Sequence, residues 1–179
     1  DQETAEIGLR AALTGHMVLS TLHTNDAVST ALRLIDMGAA PYLVASSLRA
    51  VLAQRLVRRI CNVCKTEVQP EPQELTWISN IAGKDKSSET FYQGRGCQTC
   101  NNTGYKGRIG VYELLEMTNE ELISALRNGD TEGFAQAAKA IPGYKTLGQS
   151  ALGYAELGIT SIKEVLRIAE VVSDTANYH

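Results

Sequence analysis

Aromatic side chains are scarce in this chain: one Trp, two Phe and seven Tyr among 179 residues, 6% in all. No aromatic residue is interleaved with Arg55, Arg58 and Arg59, which argues against a single-stranded nucleic-acid platform, since such platforms stack bases on rings. Net charge is lacking too. Seventeen Lys and Arg against twenty Asp and Glu leave −3, with no general attraction to nucleic acid or anionic membrane. No apolar run approaches the roughly 18 residues of a membrane span, and no signal-peptide pattern opens the chain. The phosphate-cradling pattern GxxxxGK(S/T) occurs nowhere. Gly83-Lys84-Asp85 lacks both its upstream Gly and its Ser or Thr. Nor does the chain begin with Met: Asp1-Gln2-Glu3-Thr4-Ala5 reads as a helix start within a longer polypeptide.

What is present is an ordinary globular composition, 44% hydrophobic and 21% charged, enough for one domain or two small ones. The four cysteines form two CxxC pairs, Cys61/Cys64 and Cys97/Cys100. A CxxC turn sets two thiolates on one edge of a metal, and a second turn closes a tetrahedral zinc site. The excursion between the pairs is longer than usual, but loop-closure entropy grows only slowly with length. Disulfides, a redox pair and four free thiols are the other readings. Disulfides would suit a secreted chain, and nothing else here points to secretion. A thioredoxin-like CxxC opens a helix after a strand, and neither pair does so. Four thiolates leave no open coordination position, so the zinc reading is structural rather than catalytic. Arg58, Arg59, Lys65, Lys106 and Arg108 flank the pairs and would offset the negative charge of such a centre.

Along the chain, acidic residues open a helix over 1–13, stopped at Thr14-Gly15. Residues 16–23, apolar and partly β-branched, read as a buried strand with a histidine at each end. A helix followed by such a strand suggests an α/β sheet. Thr24 or Asn25 caps the next helix, whose face is Val28, Ala31, Leu32 and Ile35, and Gly38 ends it. A further helix starts at Pro41, buries Val44, Leu48, Val51, Leu52 and Leu56, and runs to Cys61. Residues 65–96 read as a loop-rich insertion with one helix near 73–81, and 107–117 as a strand. Four helices follow, over 118–128, 131–140, 147–157 and 161–173. Thr118/Glu121 and Ser161/Glu164 stand as capping boxes. By spacing alone, His16 and His23 are either strand-end histidines with local hydrogen bonds or, for His23, a residue facing a ligand crevice at a strand's C-terminal end.

Three stretches resemble one family. DQETAEIGLRAALTGHMVLSTLHTNDA, from Asp1 to Ala27, is similar to the region after Walker B, with its histidine box, in the secretion traffic ATPases. VLAQRLVRRIC, ending at Cys61, resembles the lead-in to their four-cysteine module, and GRGCQTCNNTGYKGRIGVYE, ending at Glu113, resembles its exit. LIDMGAAPY, from Leu34 to Tyr42, with Asp26-Ala27, looks closest to the pilus assembly ATPases of the mannose-sensitive haemagglutinin type, with the type II secretion ATPases as near neighbours. The resemblance implies the C-terminal part of a RecA-like α/β P-loop NTPase. Residues 1–60 would be an incomplete core, 61–106 an inserted four-cysteine zinc module, 107–117 a strand returning to the core, and 118–179 a helical region. It also implies ATP and Mg, a cytoplasmic homo-hexamer docked on an inner-membrane platform protein, and no nucleic acid. The Walker A loop and the catalytic Walker B glutamate would lie upstream of Asp1. His23 would sense the γ-phosphate, His16 would support it, and Glu3 would lie in the nucleotide-site region. Cys61, Cys64, Cys97 and Cys100 would hold the zinc. The rival reading is a stand-alone zinc-binding interaction module; the histidine box counts against it, because an adaptor has no use for one.

Overall fold

The computed structural model describes residues 1–173. Its contacts divide the chain into two units, each discontinuous in sequence: residues 1–53 with 113–145, and residues 54–112 with 146 onward. The helices expected after residue 118 therefore fall into both.

In the first unit, α1 (Gln2–Leu13) is capped by Asp1, whose Oδ1 accepts the Thr4 N–H at 2.8 Å, and ends at Thr14. α2 (Ala27–Asp36) is capped by Asp26 rather than by Thr24 or Asn25. The Asp26 carboxylate accepts the Ser29 N–H at 2.6 Å and the Ser29 hydroxyl answers in a capping box. α3 (Pro41–Ser47) starts on proline, where the missing N–H is harmless. It stops early, because Leu48 turns extended, and the chain enters β1 (Ala50–Ile60).

The expected helix over 41–60 is thus a short helix followed by a long strand. Val44, Leu48, Val51, Leu52 and Leu56 satisfy a helical period, but Val51, Ala53, Arg55 and Val57 also satisfy a period of two. The neighbouring β4 (Tyr105–Glu116) decides between them. Met117 N–H donates to Arg49 C=O and Cys61 N–H to Gly104 C=O, both at 2.9 Å, so the strands run antiparallel.

After β4 come α5 (Glu120–Asn128) and α6 (Thr131–Ala140). The cap of α5 is Asn119, accepting from the N–H groups of Glu121 and Leu122, not the expected Thr118. Ala27 and Ala31 of α2, Leu43 and Val44 of α3, Leu115, Leu122, Leu126 and Phe134 form one core. The two alanines are fully buried, so α2 lies close to its neighbours at that face. Phe134 is among the largest fully buried side chains. Phe134→Ala is expected to cost about 3–5 kcal/mol, combining lost transfer energy and a residual cavity. Urea unfolding followed by circular dichroism would measure it, and a loss below about 1 kcal/mol would mean that α6 does not pack as described.

In the second unit, β2 (Lys65–Val68) and β3 (Phe91–Gly94) pair antiparallel, with Lys65 opposite Gly94 and Val68 opposite Phe91. The stretch expected as loop is therefore a ribbon carrying α4 (Pro72–Ala82) on its connection. α7 (Leu147–Glu156) and α8 (Ile162–Ser173) pack on each other and on α4. Ser161 and Glu164 do not form the expected capping box. The Ser161 hydroxyl meets Tyr105 Oη at 2.6 Å. Glu164, 1% exposed, accepts from the Arg58 backbone N–H at 2.8 Å, from its Nε and Nη2 at 3.0 and 2.8 Å, and from Arg167 at 3.0 Å. The hydrogen bond to Glu164 raises the Arg58 pKa further, against desolvation, and the guanidinium lies 4.1 Å over the Tyr105 ring. Lys86, also buried, reaches Glu156 at 2.5 Å, so its charge is paired as burial demands.

Candidate metal centre and histidine segment

The four cysteines lie where strands end. Cys61 follows β1 and Cys64 precedes β2; Cys97 follows β3, and Cys100 ends a single 3-10 turn just before β4. Each pair closes a tight turn in which the second cysteine's N–H donates to the carbonyl of the first, at 3.3 Å for Cys64 and 3.2 Å for Cys100. The second turn needs left-handed backbone at Asn101 and Asn102 (φ 50° and 61°) and at Gly104 (φ 77°). Gly94 and Gly104 approach so closely that a Cβ on Gly94 would run into the Gly104 carbonyl. The turns meet because Cys61 N–H bonds to Gly104 C=O and Arg95 N–H to Cys64 C=O.

The four sulfurs lie within 4.8 Å of one another. Cys61–Cys97, Cys64–Cys100 and Cys97–Cys100 stand 3.9, 3.8 and 3.7 Å apart. Four sulfurs at about 2.3 Å from a zinc at the centre of a regular tetrahedron would be about 3.8 Å apart. A disulfide would need about 2.05 Å, and all four cysteines are free. Backbone donors are already turned toward the sulfurs: the Cys97 and Gly104 N–H groups point to Cys100 Sγ at 3.2 and 3.3 Å. Removal from solvent pushes the Cys64 thiol up to about 11, with Gly96 N–H pulling the other way. The same desolvation acts on Cys100, but its two N–H donors, together with the thiols of Cys97 and Cys64, outweigh it and bring that thiol down to about 6. The donor set and its spacing fit one tetrahedral thiolate-bound metal. Among the described residues, this is the one group of three or more His, Cys, Asp or Glu side chains so arranged.

The histidines are placed differently. Residues 16–23 form no strand, which corrects the expectation from their β-branched character. A strand persists only when a neighbour accepts and donates its ladder bonds, and none of the described strands pairs with this segment. Met17 and Leu19 are accordingly 90% and 88% exposed. His16 is exposed, with Nδ1 3.1 Å from Thr14 Oγ1, and His23 is exposed as well. Glu3 is exposed in the first turn of α1. The segment is tied at its far end, where the hydroxyls of Thr24 and Thr30 meet and Asp26 caps α2.

Residues 1–167 match the family described as Type II/IV secretion system protein. The chain belongs to that family. It is 42% identical over 166 residues to the type IV pilus assembly ATPase PilB of Thermus thermophilus, matching 93% of this chain and 18% of that protein. It is also 42% identical over 170 residues to the type II secretion system protein E of Klebsiella pneumoniae, matching 95% of this chain and 33% of the other. This chain therefore spans well under half the length of these relatives. Among solved structures, the pilus retraction motor PilT with bound ADP superposes with a TM-score of 0.60 at 21% identity, covering 94% of this chain and 36% of that one. At that identity the likeness speaks for the fold alone: a mixed α/β fold shared with a pilus motor.

The burial of two glutamates escaped the sequence reading. Glu164 joins Arg58 and Arg167. Glu113, 2% exposed at the C-terminal part of β4, accepts the Ala27 N–H at 2.9 Å and the Tyr144 hydroxyl at 2.6 Å. Arg58 lies 106 residues from Glu164, and Ala27 lies 86 residues from Glu113, so no local pattern could have disclosed those contacts.

Proposed function

We propose that this chain is the C-terminal portion of a hexameric cytoplasmic ATPase that powers type IV pilus assembly or type II secretion. The observation that carries the reading is the family match over residues 1–167, joined to about equal identity with a pilus assembly ATPase and a type II secretion protein. The run around Leu34 to Tyr42 favours the mannose-sensitive haemagglutinin pilus type. The fold reads as part of a RecA-like domain, with residues 61–106 as the inserted metal module, 107–117 as the returning strand, and the helices beyond 118 as the C-terminal region. Partners on this reading are further copies of the protein and an inner-membrane platform protein.

Cys61, Cys64, Cys97 and Cys100 would hold one zinc ion, whose chemistry is structural cross-linking of the two turns. ATP and Mg would be bound chiefly by segments outside this chain, since no phosphate-cradling loop occurs in its sequence. From this chain, His23 would report on the γ-phosphate, His16 would support it, and Glu3 would stand in the nucleotide-site region. A single charged hydrogen bond from His23 is worth about 1.5–3 kcal/mol, too little to bind or turn over ATP alone.

A phosphate-release assay tests the reading. The intact protein should hydrolyse ATP, and residues 1–179 alone should release no more phosphate than a blank. In the intact protein, His23→Ala should lower turnover at least about tenfold, equivalent to about 1.4 kcal/mol. Turnover by residues 1–179 alone, or wild-type turnover by the histidine variant, would show the chemistry to be misassigned.

A further inference from the structure

Every buried carboxylate needs donors, and those of Glu113 are unusual in where they come from. Its Oε1 takes the N–H of Ala27, the first residue of α2, and the hydroxyl of Tyr144, from the segment joining α6 to α7. The first N–H groups of a helix have no partner within it. At α2, Asp26 satisfies Ser29 locally, while Ala27 is satisfied by a side chain 86 residues away. The positive end of the helix dipole favours the negative charge there. Tyr144 stays a donor: burial, reinforced by the hydrogen bond it gives to Glu113, holds its hydroxyl protonated well above the usual tyrosine range.

This junction sits four residues after His23 along the chain. Among the described residues the histidine segment has no strand partner, and its apolar side chains at 17 and 19 are exposed, so packing at those positions does little to fix it. Its position follows from its ends. At the far end, the Thr24 hydroxyl meets Thr30 on the first turns of α2, and α2 itself is held from outside the helix by Glu113. With Asp26 alone, the cap would be local and would travel with the helix. Glu113 refers the helix start to β4, and the Tyr144 hydroxyl holds the same carboxylate oxygen.

We propose that Glu113 is a positioning residue, locked by Tyr144, that sets where the histidine segment ends and hence where His23 stands; the inference rests on the reading of His23 given above.

The test uses the intact protein with Glu113→Gln, Tyr144→Phe and each combined with His23→Ala. Tyr144→Phe deletes one hydroxyl and leaves the ring packed, so it decides the matter should Glu113→Gln fold poorly. Without nucleotide, hydrogen exchange in peptides spanning 20–30 should quicken severalfold in both variants, while peptides from α1 and from the cysteine turns stay unchanged. In turnover, kcat should fall about three- to tenfold with the KM for ATP unchanged. On a His23→Ala background neither variant should lower the rate further, because the positioned group is gone. A loss of rate that multiplies with that of His23→Ala, an unchanged kcat, or unchanged exchange at 20–30 would overturn the proposal. Wild-type turnover by His23→Ala alone would instead overturn the nucleotide reading, and exchange would still report whether Glu113 fixes the segment.

Discussion

Cys97→Ser, or removal of the metal by a chelator, is expected to unfold the region between residues 61 and 100 while leaving α5 and α6 folded. Apart from the β1–β4 pair that leads into and out of them, the two cysteine turns are joined by two backbone bonds and a four-residue ribbon, β2 with β3. A two-stranded ribbon is marginal by itself. A structural zinc contributes about 10–16 kcal/mol of apparent binding energy in small metal-dependent folds, which dwarfs what these contacts supply. Losing one thiolate of four leaves a three-sulfur site that binds more weakly and opens to water. Elemental mass spectrometry should find one zinc per chain in the wild type. Hydrogen exchange should show protection lost across 61–68 and 91–104 in the variant and kept at α5 and α6. Acidification should act likewise, since a thiolate ligand must shed its proton to bind and protons compete as the pH falls. No stoichiometric metal in a reduced, metal-replete sample, or equal loss of protection in both units, would rule out a local structural centre.

The other large effect expected is at Glu164. Glu164→Ala removes the acceptor of four donor groups at once. The guanidinium groups of Arg58 and Arg167 are about half exposed and recover water, so little of their pairing energy is lost. The Arg58 backbone N–H donates into a carboxylate that is 1% exposed, and a donor left unsatisfied there costs about 1–3 kcal/mol. The cavity adds to this, giving about 2–4 kcal/mol for Glu164→Ala. Arg58→Ala should cost about 1–2 kcal/mol, because the carboxylate keeps Arg167 and a backbone N–H. The order, with the glutamate variant worse than the arginine variant, is the sharp part. Thermal unfolding of the two variants side by side measures it, and the reverse order would mean that Glu164 is held by the salt bridge rather than by the backbone.

What the sequence disclosed follows from how local each signal is. The four cysteines declare themselves by spacing, and the structure brings all four sulfurs together. α4 to α8 are legible to within two or three residues, because Pro72, Gly129, Asp130 and Thr146 mark their ends in the chain itself. β1 was hidden because its apolar residues fit both a helix and a strand; only β4, some fifty residues on, resolves the ambiguity. Residues 16–23 failed in the opposite sense: strand-like in composition, they have no ladder to join among the described residues. Glu113 looks like a surface glutamate in the sequence and Glu164 like a local helix cap, and their burial depends on Ala27 and Arg58, partners that no window of ten residues contains. His16, His23 and Glu3 rest on resemblance, and the geometry adds only that His23 precedes an anchored helix.

The discontinuity of the first unit has a consequence for synthesis. Ala27, Leu43 and Val44 leave the ribosome well before Glu113, Leu115, Leu122 and Phe134, which complete their core. At about 5–20 residues per second, the roughly sixty residues between take about 3–12 s to emerge. For that interval α2 has no acceptor for its first N–H, and α3 shows its apolar face to water. Chaperones that hold nascent chains therefore have a defined window of need here, which opens with α3 and begins to close when Glu113 arrives.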